Sequence, residues 1–127
     1  MVIVLPLIAS LTFGMVEFAY CFYCTNMLEG AARDGARFAI LSGSTSSTVN
    51  TAVTNALATT HWPSSYYTVA ITDTSGNALN PSTAAVGTQV EVTVSANWGT
   101  VGNGFSPLQL MSTSKTITGS CVMRKEQ

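Results

Sequence analysis

MVIVLPLIASLTFGMVEFAYCFYCTNML, residues 1–28, is almost wholly apolar and contains a single charged side chain, Glu17. A helix needs about 20 apolar residues to cross a bilayer, so this stretch is long enough. It runs without a break into a charged helical turn, Glu29-Gly-Ala-Ala-Arg33-Asp34-Gly-Ala-Arg37. Pro6 falls in the first turns, where a missing N–H is tolerated, and the next proline is Pro63. One helix is therefore predicted from about Ile3 to about Leu41, close to 60 Å long at about 1.5 Å per residue. That is more than one bilayer crossing, so its distal half must rest on something other than lipid.

A secretory signal would start with basic residues and confine its apolar run to about 7 to 15 residues. This run is longer and nothing basic precedes it, which predicts that the segment stays in the working protein. Arg33 and Arg37 follow the span, and the positive-inside rule alone would put the C-terminal part in the cytoplasm. An extracellular domain then requires that a basic leader be removed from ahead of Met1.

With 127 residues, the chain divides into a helix over 1–42 and a small extracellular domain over 43–127. A domain of about 80 residues has a core worth only about 3 to 5 kcal/mol. Charged residues make up 9% of the chain, against about 25% in ordinary soluble domains. Ser, Thr, Asn and Gly replace them from Ser42 onward, which suits an extracellular, densely packed array where like charges would repel. A net charge of −1 offers no electrostatic footprint for nucleic acid.

Past the first helix, Ser42-Gly43-Ser44-Thr45-Ser46 is a break, with Gly43 as the stop and Ser46 or Ser47 as the next cap. Val49, Val53 and Leu57, with Ala52 and Ala56 beside them, predict a short amphipathic helix over about Thr48 to Thr59. From Tyr66 the period becomes two. Tyr67, Val69 and Ile71 form one strand face, and Val90, Val92, Val94 and Ala96 form another. Thr113 to Met123 supplies a third β segment, with Lys115, Ile117, Gly119 and Cys121 on one face. The expected fold is α+β: a long N-terminal apolar helix, a short second helix, and a small three- to four-stranded antiparallel sheet covering the helices.

Ala31, Gly35 and Ala39 recur at four-residue spacing, as do Ala32 and Ala36. Such stripes let helix backbones approach closely, whether the partner is another subunit or the chain's own domain. Cys21, Cys24 and Cys121 are an odd, widely spaced set, read as small apolar side chains and not as a disulfide framework. Chemistry finds no foothold: His61 is the lone histidine, and no acidic cluster or phosphate-loop context is present. No catalytic residue, cofactor or metal site is expected.

Glu17 is different, because a carboxylate at membrane depth costs about 2.5 to 3.5 kcal/mol on insertion scales. Either it meets a cation on a neighbouring copy (the N-terminal amine, Arg33 or Arg37), or it stays protonated and bonded within its own helix or at the lipid interface.

Four blocks in order resemble the TadE-like pilins of tight-adherence systems. They are the proline-bearing apolar helix with Gly14-Met-Val-Glu17-Phe18; Ala31-Ala32-Arg33-Asp34-Gly35-Ala36-Arg37; the strand Val90-Glu-Val-Thr-Val-Ser95; and the ending Cys121-Val-Met-Arg-Lys-Glu126. The resemblance implies a pilin or pseudopilin, trimmed by a prepilin peptidase and assembled by dedicated pilus machinery from the inner (cytoplasmic) membrane. The basic leader, cleavage glycine and first glutamate that members carry before the apolar run are absent from this sequence.

The function expected is structural. Copies would bundle their N-terminal helices into a homopolymeric, pilus-like surface filament for attachment, with Leu5, Leu7, Leu11, Phe13, Phe18 and Phe22 making the helix contacts. Glu17, Arg33 and Arg37 would add charge pairing between copies. The alternatives are a minor membrane-anchored pseudopilin of the secretion system, a filamentous-virus coat protein, and an anchored binding domain using the Asn97 to Gly104 loop with Trp98 and Phe105.

Overall fold

A computed structural model describes residues 3–102 and 106–126. Helix α1 spans Val4–Ala39 and helix α2 Ser46–Ala56. Strands β1 (Tyr67–Thr72) and β2 (Gln89–Asn97) follow, then a single helical turn, α3 (Trp98–Val101), and strand β3 (Thr116–Arg124). The sheet is an antiparallel meander in the order β1-β2-β3. This is the α+β class expected, with three strands.

Boundaries moved for local reasons. Gly43 turns the chain out of α1 at φ 75°, and the Ser44 hydroxyl donates to the Ala39 carbonyl. The cap of α2 is Thr45, whose Oγ1 accepts from the Thr48 N–H at 3.3 Å, so Ser46 and Ser47 are the first helical residues. That helix also ends early: Ala58–Thr60 tightens into a 3-10 turn closed by His61 in the left-handed region at φ 57°. Lys115 precedes β3 and is exposed, whereas Ile117 and Gly119 face inward as expected.

The core forms where α1 lies on β2 and β3, with α2 packed alongside it towards β1. Leu28, Ala31, Ala32, Gly35, Ala36 and Ala39 of α1 are buried, together with Val49, Val53, Val90, Val92 and Val94. Both small-residue stripes are thus covered by the chain's own domain, and neither is left for a neighbouring helix. Two glycines set the spacing. A Cβ at Gly35 would sit 2.8 Å from Val53 and 3.1 Å from Val92, where α1 is squeezed between α2 and the sheet. A Cβ at Gly119 would sit 2.3 Å from the Glu29 backbone nitrogen, so β3 touches the α1 main chain directly.

Two further devices hold the periphery. The Asp73 carboxylate accepts from the backbone N–H groups of Asn77 (2.9 Å) and Ser75 (2.8 Å) and from the Asn77 side chain (3.2 Å). The Asn77 backbone donor, then its side chain, with the Ser75 N–H, hold this carboxyl below the usual aspartate range. At the same end of the sheet, just past β3, Lys125 is buried and donates to the Pro81 carbonyl, while its backbone pairs with Gly87 and Thr88. The outward sheet face is hydroxylated: Thr68, Thr116, Thr118 and Ser120 are exposed, and Thr93 and Ser95 are half-exposed.

Gly119→Ala must push α1 off the sheet and is expected to destabilise by about 1 to 3 kcal/mol. Gly30, also in α1, has nothing within 4 Å of its would-be Cβ, so Gly30→Ala should stabilise by about 0.5 to 1 kcal/mol. Chemical denaturation of both variants in the same detergent checks the opposite signs. For Asp73, folding favours the ionised form, so its contribution is complete above the unfolded pKa and is lost as pH falls through the lowered folded pKa. Melting temperatures followed into acid should therefore fall less steeply for Asp73→Asn than for the parent.

Candidate functional site: a bare apolar helix with a buried glutamate

Helix α1 has two environments. Its 36 residues span about 54 Å at about 1.5 Å per residue, and only the distal half is embedded in the domain. The N-terminal half forms a membrane-length apolar segment in which an 18-residue window is only 6% buried. Leu5, Leu7, Leu11, Phe13, Phe18 and Phe22 are all exposed along it, as are Ile8, Met15 and Tyr23. The few hydroxyls there are turned back on the helix. Ser10 donates to the Leu7 carbonyl, Thr12 to those of Ile8 and Ala9, and Thr25 to that of Cys21. Such back-bonding lets a hydroxyl sit in an apolar medium without an unsatisfied donor.

Glu17 is the first fully buried residue of α1, at 1% exposure. It begins an inward stripe that continues through Cys24, Leu28 and Ala31 at steps of seven, four and three residues. What covers it is the segment leading into β3. Met111 donates its backbone N–H to Glu17 Oε1 at 3.3 Å, and Leu110 reaches Gly14, one turn earlier, where a Cβ would lie 3.5 Å from its Cδ1. The other carboxylate oxygen, Oε2, is buried without a hydrogen-bond partner among the described residues. The backbone donor of its own domain belongs to neither arrangement set out from the sequence.

Below Glu17 the contact is aromatic. Tyr20 stacks on Tyr23 with ring centroids 5.9 Å apart and tilts against Trp98 at 6.0 Å. The Tyr20 hydroxyl donates to the Val101 carbonyl at 3.1 Å. Trp98, the anchor named in the alternative of an anchored binding domain, is 1% exposed and belongs to the core. The turn that carries it is capped by Asn97, whose side chain accepts from the Gly99 N–H at 2.8 Å. Gly102 closes against the indole, since a Cβ there would lie 2.6 Å from the ring. Gly104 and Phe105, named with it, lie outside the described residues.

Arg33 and Arg37 lie exposed on the outer side of α1, with Glu29 and Asp34. The structure does not bring them to Glu17 within one copy. Cys24 is fully buried, Cys21 and Cys121 are half-buried, and all three are free thiols. His61 is exposed and its Nδ1–H donates to the Thr59 carbonyl at 3.2 Å. The described residues hold no group of three metal-ligating side chains.

A bare helix long and apolar enough to cross a membrane, bearing a small α+β head, fits a pilin-like protein. The model of the TadE-like protein family matches residues 1–37. That segment holds the apolar helix, Glu17 and both arginines, and so the first two of the four blocks that carry the resemblance. The family is a pilus-associated structural one. No curated protein matches the chain, and no solved structure does.

The Glu17–Met111 bond generates a direct expectation. Glu17→Ala leaves a half-buried N–H unpaired and should cost about 1 to 3 kcal/mol, whereas Glu17→Gln keeps an acceptor and should cost less. Amide exchange at Met111 should accelerate in the alanine variant alone. Equal exchange in both variants would mean that the bond does not hold the segment in place.

Proposed function

We propose that this protein is a structural subunit that polymerises through its N-terminal helix into a pilus-like surface filament used for attachment. The observation that carries the proposal is the apolar half of α1, bare on nearly every side while its distal half is locked into the head. Water cannot solvate that surface, so it is covered by lipid before assembly and by other copies afterwards. Moving from lipid to helices gains little hydrophobic free energy, and packing and polar contacts must direct the step. Leu5, Leu7, Leu11, Phe13, Phe18 and Phe22 supply the packing.

Arg33 and Arg37 are free to reach a neighbouring copy. Glu17 faces its own domain, and its second oxygen is the acceptor left for a neighbour's amine or arginine once the covering segment shifts. The same reading includes prepilin-peptidase processing, dedicated pilus machinery and origin in the inner membrane, and the TadE-like match over residues 1–37 supports it.

Electron microscopy of sheared surface material tests the proposal. Filaments with this chain as the dominant species are expected. Retention of the chain in membranes, with none in sheared fibres, would make it a minor pseudopilin instead. In the same assay Leu11→Asp, which places a charge on the bare helix and costs about 2.5 to 3.5 kcal/mol near a bilayer centre, should abolish filaments while leaving the fold of the head intact. Arg33→Ala with Arg37→Ala should thin their number without abolishing them.

A further inference from the structure

We infer that the segment Ser106 to Met111 is a membrane-contacting loop: Leu108 and Leu110 sit in the interfacial layer of the bilayer beside α1, and the loop fixes how deep the helix is inserted. This rests on the membrane-anchored state above but concerns the head domain, which the helix alone does not place relative to lipid.

Three observations carry it. Leu108 and Leu110 are 38% and 57% exposed although neither belongs to a helix or strand. Leu110 lies against the bare helix itself, touching α1 at Gly14 within the membrane-length segment. And Met111, next in the chain, is hydrogen-bonded to Glu17, so the loop and the one acid of the segment share a level whatever that level is. In addition, no charged residue occurs anywhere between Glu91 and Lys115, so nothing in this part of the head opposes contact with lipid.

The depth follows from what a bilayer tolerates. Lipid-exposed irregular backbone is excluded from the hydrocarbon core, because its N–H and C=O groups have no partners there. The loop therefore stops at the interface and holds Glu17 there with it. The helix from Val16 back towards its N-terminus is the part left in hydrocarbon. A carboxylate at the interface is far less costly than one at the bilayer centre. Its own backbone donor is thus brought to it by a loop whose leucines are compatible with lipid.

The test uses the unaltered protein in phospholipid nanodiscs, with leucine and valine methyl groups isotope-labelled for NMR. One sample contains lipids carrying a nitroxide near the headgroup end of the acyl chain, and a second contains a water-soluble gadolinium chelate. Leu108 and Leu110 are expected to lose most of their signal to the nitroxide lipid, as Leu11 does, while Val86 at the far side of the head loses signal only to the chelate. If Leu7 and Leu11 respond to the lipid but Leu108 and Leu110 respond to the chelate, the loop inference is overturned and the membrane anchor stands. If neither agent reaches the two loop leucines, another copy covers them, which also overturns it. Failure of Leu7 and Leu11 to respond to lipid would sink both together.

Discussion

The main chain of α1 at Leu28 and Glu29 rests on Gly119, a residue with no side chain to hold it off. From that contact the rest of the architecture follows. Ala31, Ala32, Gly35, Ala36 and Ala39 present so little bulk that α2 closes from one side and β2 and β3 from the other. Close-packed interiors resist even single methyl additions, so the distal half of α1 is a strut fixed in the head. Its proximal half has no contact of that kind and projects as an extension of a clamped rod. The head thus dictates the direction in which the apolar segment leaves, which any anchoring or assembly has to accept.

Glu17 marks the junction between the two halves. A charge or acid placed in an apolar surface needs a donor supplied by something, and here the donor is the backbone of the Met111 segment. Tyr20, Trp98 and Val101 form a polar-tipped aromatic layer immediately below. The head is therefore attached to α1 at two levels, one by packing on small residues and one by hydrogen bonds to Glu17 and Tyr20. The upper attachment is the weaker, since a single hydrogen bond nets only about 0.5 to 1.5 kcal/mol, or about 1.5 to 3 to a charged group. If either part yields to a partner while the core stays closed, it is this one.

Much of the fold was legible because its patterns are strong. The apolar run, the stripe of alanines, and the alternation from Val90 to Ala96 each point to one element. Trp98 was legible too and was missed: Val90, Val92, Val94, Ala96 and Trp98 share a parity, so the inward face simply continues one residue past the strand. The surrounding glycines drew attention to a loop, although Asn97 preceding a turn was a capping signal. The partner of Glu17 had no signal, because a backbone N–H carries no sequence identity and Met111 lies far along the chain. Lys125 was equally silent, since its acceptor is the carbonyl of Pro81. Contacts made by main-chain atoms across long separations are decided by topology, and topology was the part that pattern alone could not supply.

The internal use of the small residues also limits how copies can meet. Where helices associate through glycine and alanine stripes, their backbones approach closely and cross at a sharp angle. In this chain those stripes are covered by α2 and the sheet. What α1 still exposes is bulky: leucines and phenylalanines along the proximal half, and Phe38 at the distal end, with Leu41 just beyond it. Helices that pack through such side chains stand about 8 to 10 Å apart with ridges seated in grooves. In the proposed filament, contact between copies of α1 would thus be side chain against side chain. Such contacts are individually weak, summed over a long seam, and sensitive to shape more than to any one residue. A seam of that kind suits many identical partners arranged along one axis better than a single tight dimer.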